Sequence, residues 1–393
     1  MDLHTLADWL RLQGTSGIGP RRAAALLQAF GSPAAVFSQA MESLCQWVPP
    51  ASARALRQPS AGSLALAQHC LDWWREAPGQ RRILTASCPD FPARLLGIAD
   101  PPLILYAIGP ASGWEQHWLN PAENRCLAVV GSRNPCAQGA QNARLFSREL
   151  AGHNVTIVSG LALGIDGAAH TGALEASRST HPATPCTIAV VGTGPDRVYP
   201  SAHGELARQI AQAGLLIGEY PPGTGPLAAH FPQRNRLIAG LSQGTLVVQA
   251  TLQSGSLITA QLALDEGRDV LAIPGSIHSP QSKGCHALIR QGAQLVDCTQ
   301  DILDAVWPHA GARGGGAPAG KARGPAGTAP PVSVSAEALQ VVAALGFDVC
   351  TLDDLQQRSG LATANLQVAL TELELAGQVC IAPGGRFQRL VPA

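Results

Sequence analysis

Lysine is nearly absent from this 393-residue chain, occurring only at Lys283 and Lys321, so arginine supplies almost all of the positive charge. That bias reads as genomic composition rather than as a functional signal. Formal charge is zero, 27 basic against 27 acidic side chains, which excludes attraction of nucleic acid by bulk charge and requires any such site to be a local concentration. Aromatic residues make up only 4%, so platforms for stacking bases must be few. No run of 18 apolar residues occurs, and Met1-Asp2-Leu3-His4 lacks the charged and apolar segments of a secretion signal. A cytoplasmic protein without membrane contact is expected. None of the ten cysteines forms a Cys-x-x-Cys pair, and His278 and His286 lack a third ligand, so reduced thiols and no metal are expected.

Signatures of catalysis fail as well. There is no Gly-Lys-Ser/Thr phosphate loop, no serine nucleophile elbow, and no pair of carboxylates converging after two strands. Gly192-Thr193-Gly194 begins like a dinucleotide fingerprint, but Arg197 stands where the third glycine belongs. No cofactor and no enzymatic constellation are expected.

With 46% hydrophobic residues, the chain has material for two to four packed domains. Residues 1–75 follow a helical pattern, with Gly17-Ile18-Gly19-Pro20 forming a tight turn before Arg21 and Arg22. That turn fits either a helix-hairpin-helix that offers backbone N–H groups to phosphate or a plain helical hairpin, and the nine bases against nine acids over residues 1–123 slightly favour the plain hairpin. From 82 to 308, short β-branched runs alternate with helix-length segments: 127–130, 155–158, 187–191, 215–220, 245–248 and 270–273. The pattern predicts βαβ units and a parallel sheet buried on both faces, a doubly wound α/β, Rossmann-like domain. Residues 310–332 contain repeated Gly, Ala and Pro without apolar periodicity and are expected to be a flexible tether. From 333 to 391 helices lead to two short strands around Pro383-Gly384-Gly385, which predicts a winged helix.

In a doubly wound sheet, ligands bind beyond the carboxyl ends of the strands, so the residues after each run are the candidates. They are Gly131-Ser132-Arg133, then Ser159, Gly160 and Gly164, then Ser254, Gly255, Ser256 and Thr259, and finally Gly275. Glycines let a phosphate approach the backbone, hydroxyls donate to it and arginines neutralise it. Phe231, Arg234, Asn235 and Arg236 lead into an apolar turn, two guanidiniums flanking an amide just before an apparent helix. Arg133, Arg234 and Arg236 are expected to converge on one groove for a nucleic-acid backbone. Phe231 is the stacking candidate, with Tyr199 and Tyr220 nearby and a core role for the phenylalanine also open. Asp166 and His170, at i and i+4, read as structural groups rather than an acid/base pair.

In order and spacing, Gly131-Ser132-Arg133, Ser159-Gly160, Gly164-Ile165-Asp166, Ala169-His170, Tyr199-Pro200, Phe231-Pro232, Arg234-Asn235-Arg236, Ser254 to Ala260, Pro274-Gly275 and Gly284 resemble the DprA/Smf family of natural transformation. The resemblance spans nearly the whole chain. It implies an extended Rossmann-like fold that binds single-stranded DNA, forms a homodimer, and loads the RecA recombinase while displacing single-strand-binding protein, without enzymatic activity. It also implies a DNA contact for Arg133. Two positions depart from the family pattern: Gln249 replaces a usual glutamate and Gly218 a common serine.

Residues 333–393 carry three bases against six acids, so the winged helix reads as a poor duplex binder, with protein contact and a passive tail both open. A rival reading makes the chain a nucleotide-processing enzyme resembling the lysine-decarboxylase-like phosphoribohydrolases, but their Pro-Gly-Gly-x-Gly-Thr-x-x-Glu motif is missing here. A scaffold acting through the acidic tail is the third reading.

Overall fold

The computed structural model describes residues 1–58, 62–120, 125–177, 184–308, 334–346, 349–382 and 384–390. The expected tether at 310–332 lies outside them.

Nine strands form one sheet: β1 (Arg81–Thr85), β2 (Ile104–Ile108), β3 (Arg125–Val130), β4 (Val155–Ser159), β5 (Thr187–Val191), β6 (Leu215–Gly218), β7 (Gly244–Val247), β8 (Asp269–Ala272) and β9 (Gln294–Leu295). Their order is β1-β2-β6-β5-β4-β3-β7-β8-β9. From β6 to β9 every pairing is parallel. β1 and β2 are antiparallel additions at one edge, which the β-branched pattern did not disclose. β4 and β5 are buried throughout because helices cover both faces of the sheet. Alternation along β3 divides the core: Leu127 and Val129 pack with the helices Ala137–Gly152 and Ile165–Ser177, while Ala128 and Val130 pack with His230–Leu241 and Ser256–Asp265.

The chain runs outward from β3 through β4, β5 and β6, then crosses to β7 on the other side of β3. The order therefore reverses at β3, and the loops after β3, β4 and β7 part to leave a crevice.

Short helices between Leu3 and Glu76 surround Leu6, Leu10, Leu26, Leu56 and Leu71, and the same cluster takes in Ile104 and Tyr106 of β2. The helical unit thus shares a core with the sheet edge. Beside its Gly-Ile-Gly turn, Arg21 pairs with Asp100 at 2.9 Å and Arg22 donates to the Gly17 carbonyl at 2.7 Å.

Helices Ala336–Leu345, Leu352–Ser359 and Thr363–Leu375 pack around Leu355, Leu366 and Leu370 and lead into the antiparallel hairpin β10 (Val379–Ala382) and β11 (Arg386–Arg389), a winged helix. Gly384 and Gly385 make the hairpin turn at φ of +84° and +69°, so these two glycines belong to a wing and not to the sheet's crevice. Gln388 of β11 is buried, its amide 3.9 Å from the Cys136 sulfur at the start of helix Ala137–Gly152. Among the described residues no helix is long and apolar enough to cross a membrane, and all ten cysteines are free thiols.

Candidate nucleic-acid interface

The crevice at the β3 switch point is a cleft of about 510 Å³. Segments distant in sequence line it, among them Gly131, Ser132 and Arg133 after β3; Phe231, Arg234 and Asn235 in the first turns of helix His230–Leu241; and Ser254, Gly255, Ser256 and Thr259 at the start of helix Ser256–Asp265. Neither helix has an acidic residue in its first turn or a side-chain bond from its N-cap residue, though at the second Ser254 Oγ accepts from Ser256 N–H at 3.4 Å. Their positive dipole ends are therefore left for an anion. Arg133 is exposed at the rim and forms no ion pair among the described residues.

The loop carrying Arg133 is clamped by backbone. Ser132 N–H donates to the Gln249 carbonyl at 2.7 Å, and the Ser132 carbonyl accepts from Ile165 N–H at 3.1 Å. Gln249 also reaches the far end of the loop: its Oε1 accepts from Cys136 N–H at 3.1 Å and its Nε2 donates to the Cys136 sulfur at 2.9 Å. A glutamate there could accept but not donate, so the departure at this position is matched by Cys136. Gly164 lies beneath the loop at φ +80°, where a Cβ would come 2.7 Å from the Arg133 carbonyl oxygen. Gly164→Ala should therefore lower stability by about 1–3 kcal/mol and push the Arg133 loop outward. A urea midpoint indistinguishable from the parent chain would contradict this.

Several expected phosphate ligands have other partners. Arg234 lines the cleft but is only 4% exposed; its Nη1 donates to the carbonyls of Gly160 and Val190. Arg236 does not line the cleft at all. It makes two hydrogen bonds to the Glu219 carboxylate, at 2.6 and 2.7 Å, with both side chains largely buried. Neither guanidinium is the open phosphate contact that their sequence position suggested: Arg234 is buried against the Gly160 and Val190 carbonyls, and Arg236, on another side of the same helix, is held by Glu219. Ser159 is buried and donates to the Val129 carbonyl at 2.6 Å. Gly160 N–H is taken by Asp166 at 3.1 Å, and Gly275 lies outside the cleft lining.

Asp166 and Arg234 form the charged floor. The Asp166 carboxylate accepts from Gly160 and Ala162 N–H. Burial raises its pKa, opposed by the Arg234 charge and these two donors. Burial likewise pushes the Arg234 guanidinium down to about 10, which leaves it charged at neutral pH. Deeper still, the Thr187 hydroxyl donates to the Ile157 carbonyl and so accepts from His170 Nδ1–H at 2.7 Å. His170 Nε2 is then a bare, buried nitrogen without a partner. Desolvation, with His203 and Arg234 nearby, depresses the His170 pKa to about 3.

Sequence reasoning missed Asn134, Thr251 and Gln281, which also line the cleft. Thr251 follows β7 closely, so the strand-end rule could have reached it. Gln281 arrives from beyond β8, its Nε2 donating to the Asn134 carbonyl at 3.0 Å, and no local signal marks it.

Two family models match the chain: DNA recombination-mediator protein A over residues 82–307, and the DprA winged helix domain over 325–385. Protein Smf of Escherichia coli (strain K12) is 39% identical over 319 residues, covering 79% of this chain and 78% of that protein. Protein Smf of Synechocystis is 34% identical over 338 residues, with 78% and 80% covered. The X-ray structure of DNA processing protein A from Streptococcus pneumoniae superposes with a TM-score of 0.62 at 34% identity, covering 76% of this chain and 98% of that one. The family is one of DNA-binding proteins and not of enzymes. With more than half of its length under the first model and relatives matched along most of theirs, the chain belongs to the DNA recombination-mediator protein A (DprA/Smf) family.

Proposed function

We propose that the cleft binds the backbone of single-stranded DNA, and that the protein acts in natural transformation as a homodimer that hands the incoming strand to RecA while displacing single-strand-binding protein. The observation that carries this is Arg133, unpaired at the rim of a cleft into which two helix N-termini open. A diester phosphate held there gains a charge-assisted bond and two helix dipoles. Phe231, half-buried on the cleft wall, places an aromatic ring beside the strand, and an unpaired base can pack on such a ring where a duplex keeps its bases stacked internally.

The test is a titration with single- and double-stranded oligonucleotides at several salt concentrations. Single strands should bind more tightly, with affinity falling as salt rises. Arg133→Ala should weaken binding about tenfold for all sequences alike and flatten the salt slope by about 0.7, the value for one phosphate on a single strand. The same variant should fail to relieve the block that single-strand-binding protein places on RecA's DNA-dependent ATPase. Undiminished affinity in Arg133→Ala would sink the assignment.

A further inference from the structure

Tyr199 occupies the loop after β5 and is 48% exposed, while the other two tyrosines have lost that freedom. Tyr106 is fully buried, and Tyr220 stacks on His230 with centroids 3.7 Å apart while its hydroxyl donates to Gln233. The Tyr199 ring rests instead on Phe231, centroids 5.3 Å apart and planes tilted by 44°. Phe231 is itself seated on Gly192, where a Cβ would come 3.1 Å from the phenylalanine ring, and it forms part of the cleft wall. One edge of the cleft thus continues into a second aromatic ring that is held from below and open to solvent. An exposed tyrosine so fixed gives up little entropy when it gains a ligand. Arg197, two residues earlier in the same loop, has a 63% exposed side chain and among the described residues pairs with the adjacent Asp196, at 3.6 Å.

We propose that Tyr199 is a second nucleobase subsite: the unpaired base next to the phosphate held at Arg133 passes over Phe231 and stacks on the open face of the Tyr199 ring. Arg197 lies where the following phosphate would emerge. This rests on the reading of the cleft as a single-strand site and adds to it a path along which the strand leaves. Stacking tolerates any base, so the subsite contributes affinity without sequence preference.

The experiment compares a thymidine oligonucleotide with an abasic strand of the same length, using the full chain at fixed salt. Tyr199→Ala should bind the thymidine strand about tenfold more weakly, bind the abasic strand as the parent does, and keep the parent's salt slope. Tyr199→Trp should restore binding of the thymidine strand. Arg133→Ala, by contrast, should lose affinity for both strands. Binding of the thymidine strand by Tyr199→Ala within twofold of the parent, or equal losses on both strands, would overturn the subsite while leaving the cleft assignment standing. Failure of the parent chain to bind either strand would remove both.

Discussion

Arg234→Ala should cost the sheet domain about 3–5 kcal/mol of stability, far more than a surface arginine would. The guanidinium is 4% exposed and is the charge that faces Asp166, itself 7% exposed. Truncation leaves that carboxylate buried without its counter-charge, and it frees the carbonyls of Gly160 and Val190 from their shared donor. Arg234→Lys keeps the charge but loses the planar fork, so it should fall between the parent and the alanine variant. Urea unfolding of the three proteins measures the series. A loss below about 0.5 kcal/mol for the alanine variant, with DNA affinity reduced, would instead mean that the guanidinium faces solvent as a phosphate ligand.

Acid should destabilise the fold through His170. Its pKa is about 3 in the folded chain against 6.5 for an unperturbed histidine, so between these limits the unfolded chain binds a proton that the folded one refuses. Stability is fully retained above pH 6.5 and falls by about 1.4 kcal/mol per pH unit below it, reaching a loss of about 4–5 kcal/mol near pH 3. Asp166 works in the opposite direction, since a carboxyl with a raised pKa gains stability as it becomes protonated. The comparison that isolates the histidine is therefore with His170→Gln, which can still donate to Thr187. Unfolding midpoints of the two proteins should diverge between pH 6.5 and pH 3, the glutamine variant being less acid-sensitive. Parallel curves would contradict a neutral, partnerless Nε2.

The parallel part of the sheet was legible because its strands are buried on both faces and read as continuous β-branched runs; Thr187–Val191 matches the expected range and the others differ by one or two residues. β1 and β2 escaped for separate reasons. Arg81 and Arg82 make β1 look half polar, and β2 follows Pro101 and Pro102, which read as turn signals. β9 has only two residues and offers no pattern.

The arginine pair is the more instructive miss. Arg234 and Arg236 lie two apart on a helix, about 200° around its axis, so they cannot face one groove. Arg234 shares its side with Leu237 and Ile238, both buried, and helical spacing alone places it inward. The strand-end loops were better guides, because in this architecture their position relative to the cleft follows from topology.

Amino-acid order alone determined the succession of elements, the carboxyl-end loops as the place to look, and the family, since each depends on patterns local to a few residues or on the order of short motifs. Only the folded chain decided which charges remain available. Arg236 is neutralised by Glu219, 17 residues away, and Arg234 donates to Gly160, 74 residues away. A charge's role depends on what lies within a few ångströms of it, and in a sheet whose order reverses at β3 those neighbours come from segments remote in sequence. Arg133, exposed at the cleft rim, forms no ion pair among the described residues.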